Sequence, residues 1–231
     1  MAANVSSVVE DPALIEKRRK QIVAAATYLF AKQGFYRTTI KDIALRAGIS
    51  YGVVYLYVKE KEDVLLLVLE QVINAYAAEI PKAMAGVTDP LDRLVRAVDA
   101  YCRVVDKHRA ATVLAYRSTK SLTSARRQVI QNLETDTNEF ITAAIRECIN
   151  AGLVRNVNVD VLTYQFVLAA HGWALKGWHL KSRLALEAYI AANLDIILTG
   201  ILTPAGALRL AELAEAEHFP VPGLSHPGPC P

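Results

Sequence analysis

Residues Thr38 to Lys61, TTIKDIALRAGISYGVVYLYVKEK, constrain this chain more tightly than any other stretch. A threonine at 38 or 39 stands where a side-chain oxygen caps a helix start, and Ile40, Ile43 and Ala44 follow at helical spacing to about Ala47. Gly48 comes next, where a tight turn with φ > 0 is cheap only for glycine. Ser50 then caps a second short helix, Tyr51 to about Tyr57, and Lys61 stands at the start of a third. Helix, glycine turn and helix in this order form a helix-turn-helix, whose second helix enters the major groove of duplex DNA.

The flanking sequence is helical throughout. Ile22, Ala25, Ala26, Leu29 and Phe30 predict a helix from about Ile15 to Gln33, ended by Gly34, with Phe35 turning back toward a small core. Apolar residues from Val64 to Tyr76 predict a long helix reaching about Ile80, and Pro81 with AGVTDP reads as a break. Further helices are expected over 90–105, 109–116, 123–151, 158–180 and 183–202, and a last one to about Glu217. No useful strand signal and no internal repeat appear. The fold class is therefore all-α: a three-helix head on a larger helical body. The expected divisions are a mobile segment 1–14, a DNA-binding head 15–62, a ligand-binding and dimerisation body 63–217, and a tail 218–231 rich in proline and glycine.

Composition narrows the function classes. Of 231 residues, 53% are apolar and 21% charged. The mean hydropathy of +0.22 suits either apolar surface buried between subunits or a wide apolar cavity. No stretch of eighteen residues lacks a charged or polar interruption, so no membrane span is expected. The N-terminal basic cluster follows apolar residues, the reverse of a secretory signal. Cys102, Cys148 and Cys230 make no metal or disulfide pattern, and a reducing cytoplasm is expected. The net charge is only +3, but positive groups gather around the motif, among them Arg19, Lys41, Arg46, Lys59 and Lys61. There is no glycine-rich phosphate loop, no carboxylate–histidine metal cluster and no serine in a nucleophile setting. No catalysis, metal or cofactor is expected.

Within the motif, residue chemistry sorts into roles. Thr39 offers a hydroxyl and a helix-start N–H to a phosphate, and Lys61 adds charge at the next helix start. Ser50, Tyr51 and Gly52 open the short helix and are the base-facing candidates, with Gly52 permitting close approach. Lys41 and Arg46 are placed for phosphate or base, and Tyr55 and Tyr57 carry phenol donors at the end of the helix. The same residues resemble the N-terminal domain of the TetR family of transcriptional regulators. The match runs through Thr39, Ile43, Ala44, Ala47, Gly48, Ile49, Ser50, Gly52, Val54, Tyr55, Tyr57, Lys61 and Val64. The resemblance implies backbone contact by Tyr55 and a homodimer joined through the last two long helices. Val58 departs from the family's usual Phe and Val53 from its frequent Thr, which implies thinner packing behind the reading helix and one hydroxyl fewer near DNA.

The body carries isolated polar groups in apolar helices. Tyr101, His108, Tyr116, Phe140, Phe166 and Trp173 are candidates for an effector cavity, with Arg117 and His171 as its polar ends. His171 and His179 lie two helical turns apart, too far for joint metal ligation. HGWALKGWHL resembles segments of TetR-type regulators of acyl-thioester metabolism, which implies Lys176 and Arg183 near coenzyme-A phosphates. The expected partners are a double-stranded operator, a hydrophobic or amphipathic effector and a second copy of the chain. A constitutive DNA binder with a filled body is the rival reading.

Overall fold

The computed structural model describes residues 5–215, and among them eleven α-helices, one 3-10 turn and no strand. A lone antiparallel bridge joins Val154 to Leu202. Cys230, the tail 218–231 and the expected helix end near Glu217 lie outside the described residues. The chain divides into two compact units. One holds the residues up to Asn74 with His108–Glu134; the other holds Ala75–Lys107 with the residues from Thr135 onward. The division differs from the boundary at 62–63 expected from sequence, because α1 (Pro12–Gln33) packs on α6 (Arg109–Ser118) as well as on α2 (Ile40–Ala47).

In the first unit α1 starts earlier than its apolar pattern indicates. Asp11 caps it, accepting from the backbone N–H of Ala13 at 2.9 Å, and Pro12 sits where no intrahelical donor is needed. Residues 5–9 are not a mobile lead-in. Val8 N–H and Ser7 Oγ both donate to the Leu56 carbonyl at 2.9 Å, and Val5 is buried. Ile22, Ala26 and Phe30 of α1 meet a core that includes Ile43 and Ala44 of α2 and Val54 of α3 (Tyr51–Val54). Val58 is fully buried, so the smaller residue at the family's Phe position is packed without exposure.

Helix α4 (Lys61–Met84) contributes to both units, as does α7 (Ser124–Asn150). Pro81 lies inside α4 rather than ending it. The carbonyl it leaves unpaired belongs to Ala77, which is exposed and open to water. By length and composition alone α4 could cross a bilayer, with mean hydropathy 1.4 over its most apolar window, but 61% of that window is buried inside the protein. It reads as a core helix.

In the second unit α5 (Pro90–Lys107) packs against α8 (Val159–Leu175), α10 (Leu186–Thr199) and α11 (Pro204–Ala214). The single helix expected over 158–180 is two: α8 stops at Leu175, and α9 (Gly177–Leu180) follows. Two close approaches fix the packing. Tyr189 on α10 donates to the Ala169 carbonyl at 2.6 Å beside Gly172, where a Cβ would stand 2.9 Å from its hydroxyl. Gly206 on α11 lies against Leu153, whose carbonyl would stand 1.9 Å from any added Cβ.

Candidate nucleic-acid interface and effector core

The helix-turn-helix is built by its caps. Thr39 forms a capping box with Asp42, Gly48 ends α2 in the left-handed conformation at φ 68°, and the Ser50 side chain accepts from Val53 N–H. Helix α3 is shorter than expected, closing at Val54, with Tyr55 to Tyr57 in the turn behind it. Tyr57 is buried and belongs to the core, whereas Tyr51 and Tyr55 are exposed. These two rings meet edge to face at 5.1 Å, and their hydroxyls lie 3.1 Å apart. That hydrogen bond raises the Tyr55 pKa above the usual phenol value, so Tyr55 presents a neutral hydroxyl. Gly52 is exposed beside them, and the Lys41 ammonium lies 5.8 Å from the Tyr51 ring. Arg46 stacks its guanidinium over Tyr28 at 3.3 Å, which orients that charge on the outer side of α2.

Two expected phosphate anchors have their donors committed elsewhere. The Thr39 hydroxyl and backbone N–H both donate to Asp42 Oδ2, at 2.8 and 2.9 Å, and the N–H bond in particular holds that carboxyl below the usual range. The Lys61 ammonium donates to the carbonyls of Phe35, Tyr36 and Thr38 at 2.9, 3.3 and 3.0 Å, and lies 4.4 Å from the Phe35 ring. It ties the start of α4 to the loop between α1 and α2. Sequence reasoning also missed Arg126. Its guanidinium reaches Glu60 Oε1 at 2.5 Å and pairs with Asp63, whose other oxygen accepts from Lys59 N–H at 2.8 Å and so caps α4. Lysine and aspartate in a helix-opening KEKED run mark the cap; nothing in the sequence marks its partner.

The effector candidates separate between the units. His108, Tyr116 and Arg117 belong to the first. His108 borders an open groove of about 710 Å³ with Tyr28 and Lys32, and Tyr116 and Arg117 are exposed. Arg117 therefore supplies no buried polar end. Tyr101, Phe140, Phe166, His171 and Trp173 belong to the second unit, and all but the half-buried Phe140 are buried. Tyr101 stacks on Tyr76 with centroids 4.2 Å apart, and its hydroxyl lies 3.2 Å from His171 Nε2. Burial pushes the His171 pKa down to about 4, leaving a neutral imidazole. Trp173 donates to Asp106 at 2.7 Å. Two buried threonines, Thr142 on α7 and Thr163 on α8, share a hydrogen bond of 3.0 Å. Cys102 and Cys148 are buried thiols with pKa values raised to about 12, chiefly by desolvation, and are unreactive.

The outer faces of α8 and α10 are apolar and uncovered. Val161, Tyr164 and Leu168 recur along one side of α8, and Ala188, Ala192 and Ile196 along one side of α10. On the opposite sides of these helices, Phe166, Trp173, Leu194 and Leu198 are buried within the chain.

A helix-turn-helix with exposed tyrosines and basic groups, joined to an all-helical body, defines a DNA-binding transcriptional regulator. Residues 22–68 match the family described as bacterial regulatory proteins, tetR family, and residues 87–201 match the tetracyclin repressor-like C-terminal domain. The chain is 48% identical over 212 residues to the HTH-type transcriptional regulator HbdR of Aromatoleum sp., covering 92% of this chain and 93% of the relative. It is 25% identical to the HTH-type transcriptional repressor KstR2 of Mycolicibacterium smegmatis, over 85% of this chain and 97% of the relative. Its fold resembles that of AibR, solved in complex with isovaleryl coenzyme A and operator DNA, with TM-score 0.68, 18% identity, and coverage of 78% of this chain and 97% of that one. The chain belongs to the TetR family.

Proposed function

We propose that the chain is a cytoplasmic, homodimeric repressor that leaves a two-fold operator when a hydrophobic or amphipathic effector enters the core of the second unit. The observation that carries the effector reading is a set of neutral polar side chains, Tyr101, His171, Thr142 and Thr163, inside an otherwise apolar helical core. Buried polar groups are costly and are kept where they specify a partner or a packing. HbdR and KstR2 are named as regulators, and AibR was solved with an acyl-coenzyme A and DNA. A fatty or aromatic acyl-coenzyme A fits the same outline, with exposed Lys176 and Arg183 available to its phosphates.

The dimer reading rests on the uncovered faces of α8 and α10, where Ala188 and Ala192 allow close helix approach beside Leu168 and Ile196. Two reading helices would then meet successive major grooves about 34–36 Å apart. An effector that binds the DNA-incompetent state more tightly shifts the population away from the operator. Helices α4 and α7, which contribute to both units, are the routes for that change.

Selection of duplex sites from a random library is expected to recover a palindrome. Sedimentation should give twice the chain mass, and Leu168→Glu with Ile196→Glu should give a monomer that has lost the palindrome. Thermal-shift screening with fatty acids, aromatic acids and their coenzyme-A thioesters, followed by operator titration, tests the effector. Recovery of a palindrome with no compound changing either readout would favour a constitutive DNA binder.

A further inference from the structure

Asn138 stands on the inward side of α7, one turn before Thr142 and in line with Ile141 and Ile145, and is 4% exposed. Its backbone carbonyl accepts from Thr142 Oγ1 at 3.1 Å. The side-chain amide is different: Oδ1 and Nδ2 are both closed off from solvent, and neither has a hydrogen-bond partner. An amide has two donors and two acceptor sites, and native cores leave such groups unpaired only for a reason. A merely structural asparagine would be bonded to a neighbouring helix, as Thr142 is to Thr163.

The surroundings restrict what can pair with it. Among the described residues of the second unit, the buried polar side chains besides Asn138 are Asp99, Thr137, Thr142, Thr163 and His171, with the hydroxyls of buried Tyr76, Tyr101 and Tyr189 and the indole N–H of buried Trp173. Only Asp99 is a carboxylate, and it belongs to a separate groove with Arg103, to which it is paired at 2.8 Å. No cation is among them. A carboxylate or phosphate brought to Asn138 would have to shed its water without a counter-charge, which interiors do not tolerate. A group that both donates and accepts while uncharged meets both orphan atoms at once.

We infer that Asn138 reads the buried end of the effector, and that this end is an uncharged donor–acceptor such as a hydroxyl, phenol or carboxamide, not a carboxylate or ammonium. The inference rests on the effector-sensing reading above and narrows it: a free acid does not enter with its charged end inward, whereas a thioester carrying its charges at the far end does. The orphan amide would then be a cost of the empty state that ligand binding removes, which favours the liganded conformation by pairing alone.

The test compares the full-length wild type with Asn138→Leu and Asn138→Ala, using benzamide, phenol and benzoate as probes of matched size at millimolar concentration. Without ligand, Asn138→Leu should melt no lower than wild type, and by roughly 2–4 °C higher if the apolar side chain fits, because an orphan is removed and no bond is lost. Benzamide and phenol should raise the wild-type midpoint and benzoate should not, and both variants should lose at least three-quarters of those shifts. Should the larger Leu fail to fold, Asn138→Ala carries the ligand comparison. Equal benzamide and phenol shifts in wild type and variants, or a benzoate shift as large as that of benzamide, overturns the role of Asn138 while leaving effector sensing intact. If none of the probes, nor any compound of the wider screen, moves the wild-type midpoint or its operator affinity, effector sensing fails and this inference fails with it.

Discussion

Replacing Lys61 separates two roles that a lysine at a helix start can play. Its ammonium has three hydrogens, and the structure directs them to three convergent carbonyls, those of Phe35, Tyr36 and Thr38. Charged hydrogen bonds contribute about 1.5–3 kcal/mol each where buried. Lys61 is only half-buried, so Lys61→Met should cost about 1.5–3 kcal/mol in all rather than the sum of three bonds. The carbonyls belong to the loop that leads into α2, so the loss should loosen the reading head and weaken DNA binding through its folding equilibrium.

The assay is operator affinity over a range of salt, beside thermal melting. A residue that neutralises one phosphate contributes about 0.9 to the slope of log K against log salt. As a positioning residue, Lys61→Met should weaken binding with the slope unchanged and with a lowered melting midpoint. Lys61→Arg keeps the charge but presents a planar fork, which cannot address three convergent carbonyls as an ammonium does. It should therefore melt below wild type too. A Lys61→Met protein of wild-type stability whose slope falls by about one, with Lys61→Arg behaving as wild type, would refute the argument and restore the phosphate contact.

Two further outcomes follow from the second unit. His171 has a folded pKa of about 4 against an ordinary 6.5, so between those values the unfolded chain binds more protons. Its contribution is fully present above pH 6.5 and is lost as pH falls toward 4, by about 3 kcal/mol at most (about 1.4 kcal/mol per pH unit); chemical denaturation should show that loss, and His171→Phe should flatten it. Gly206→Ala puts a methyl 1.9 Å from the Leu153 carbonyl, so the N-terminus of α11 must move; melting should report a loss of about 1–3 kcal/mol, and a wild-type midpoint would show that α11 sits further from Leu153.

The head was legible because its signals are local. Thr39, Gly48 and Ser50 carry out in the structure the backbone tasks that their side chains and offsets indicate. What could not be read is which group claims a polar side chain first. Thr39 is a sound phosphate donor until Asp42 is three residues away with a carboxylate at 2.8 Å. That pair is visible in sequence as a capping box, and weighing it would have reassigned the hydroxyl. The competitors of Lys61 are more than twenty residues distant and are backbone atoms, which no residue pattern marks.

The body fails to read for a related reason. Periodicity identifies a buried face only when the opposite face is polar, and α8 and α10 are apolar nearly all round. Phe166 and Trp173 are larger than Val161 and Leu168, yet size does not say which side meets α5 and which is left for a second chain. Asn138 shows the converse. A polar residue in register with Ile141 and Ile145 is a visible exception to an apolar stripe, and the stripe predicts its burial. Whether a buried amide is satisfied depends on the helices around it, and those are long-range facts. Here the exception and the missing partners coincide on one side chain. That coincidence is why ligand reading is proposed for Asn138 and not for Thr142, whose hydroxyl already has a partner on α8.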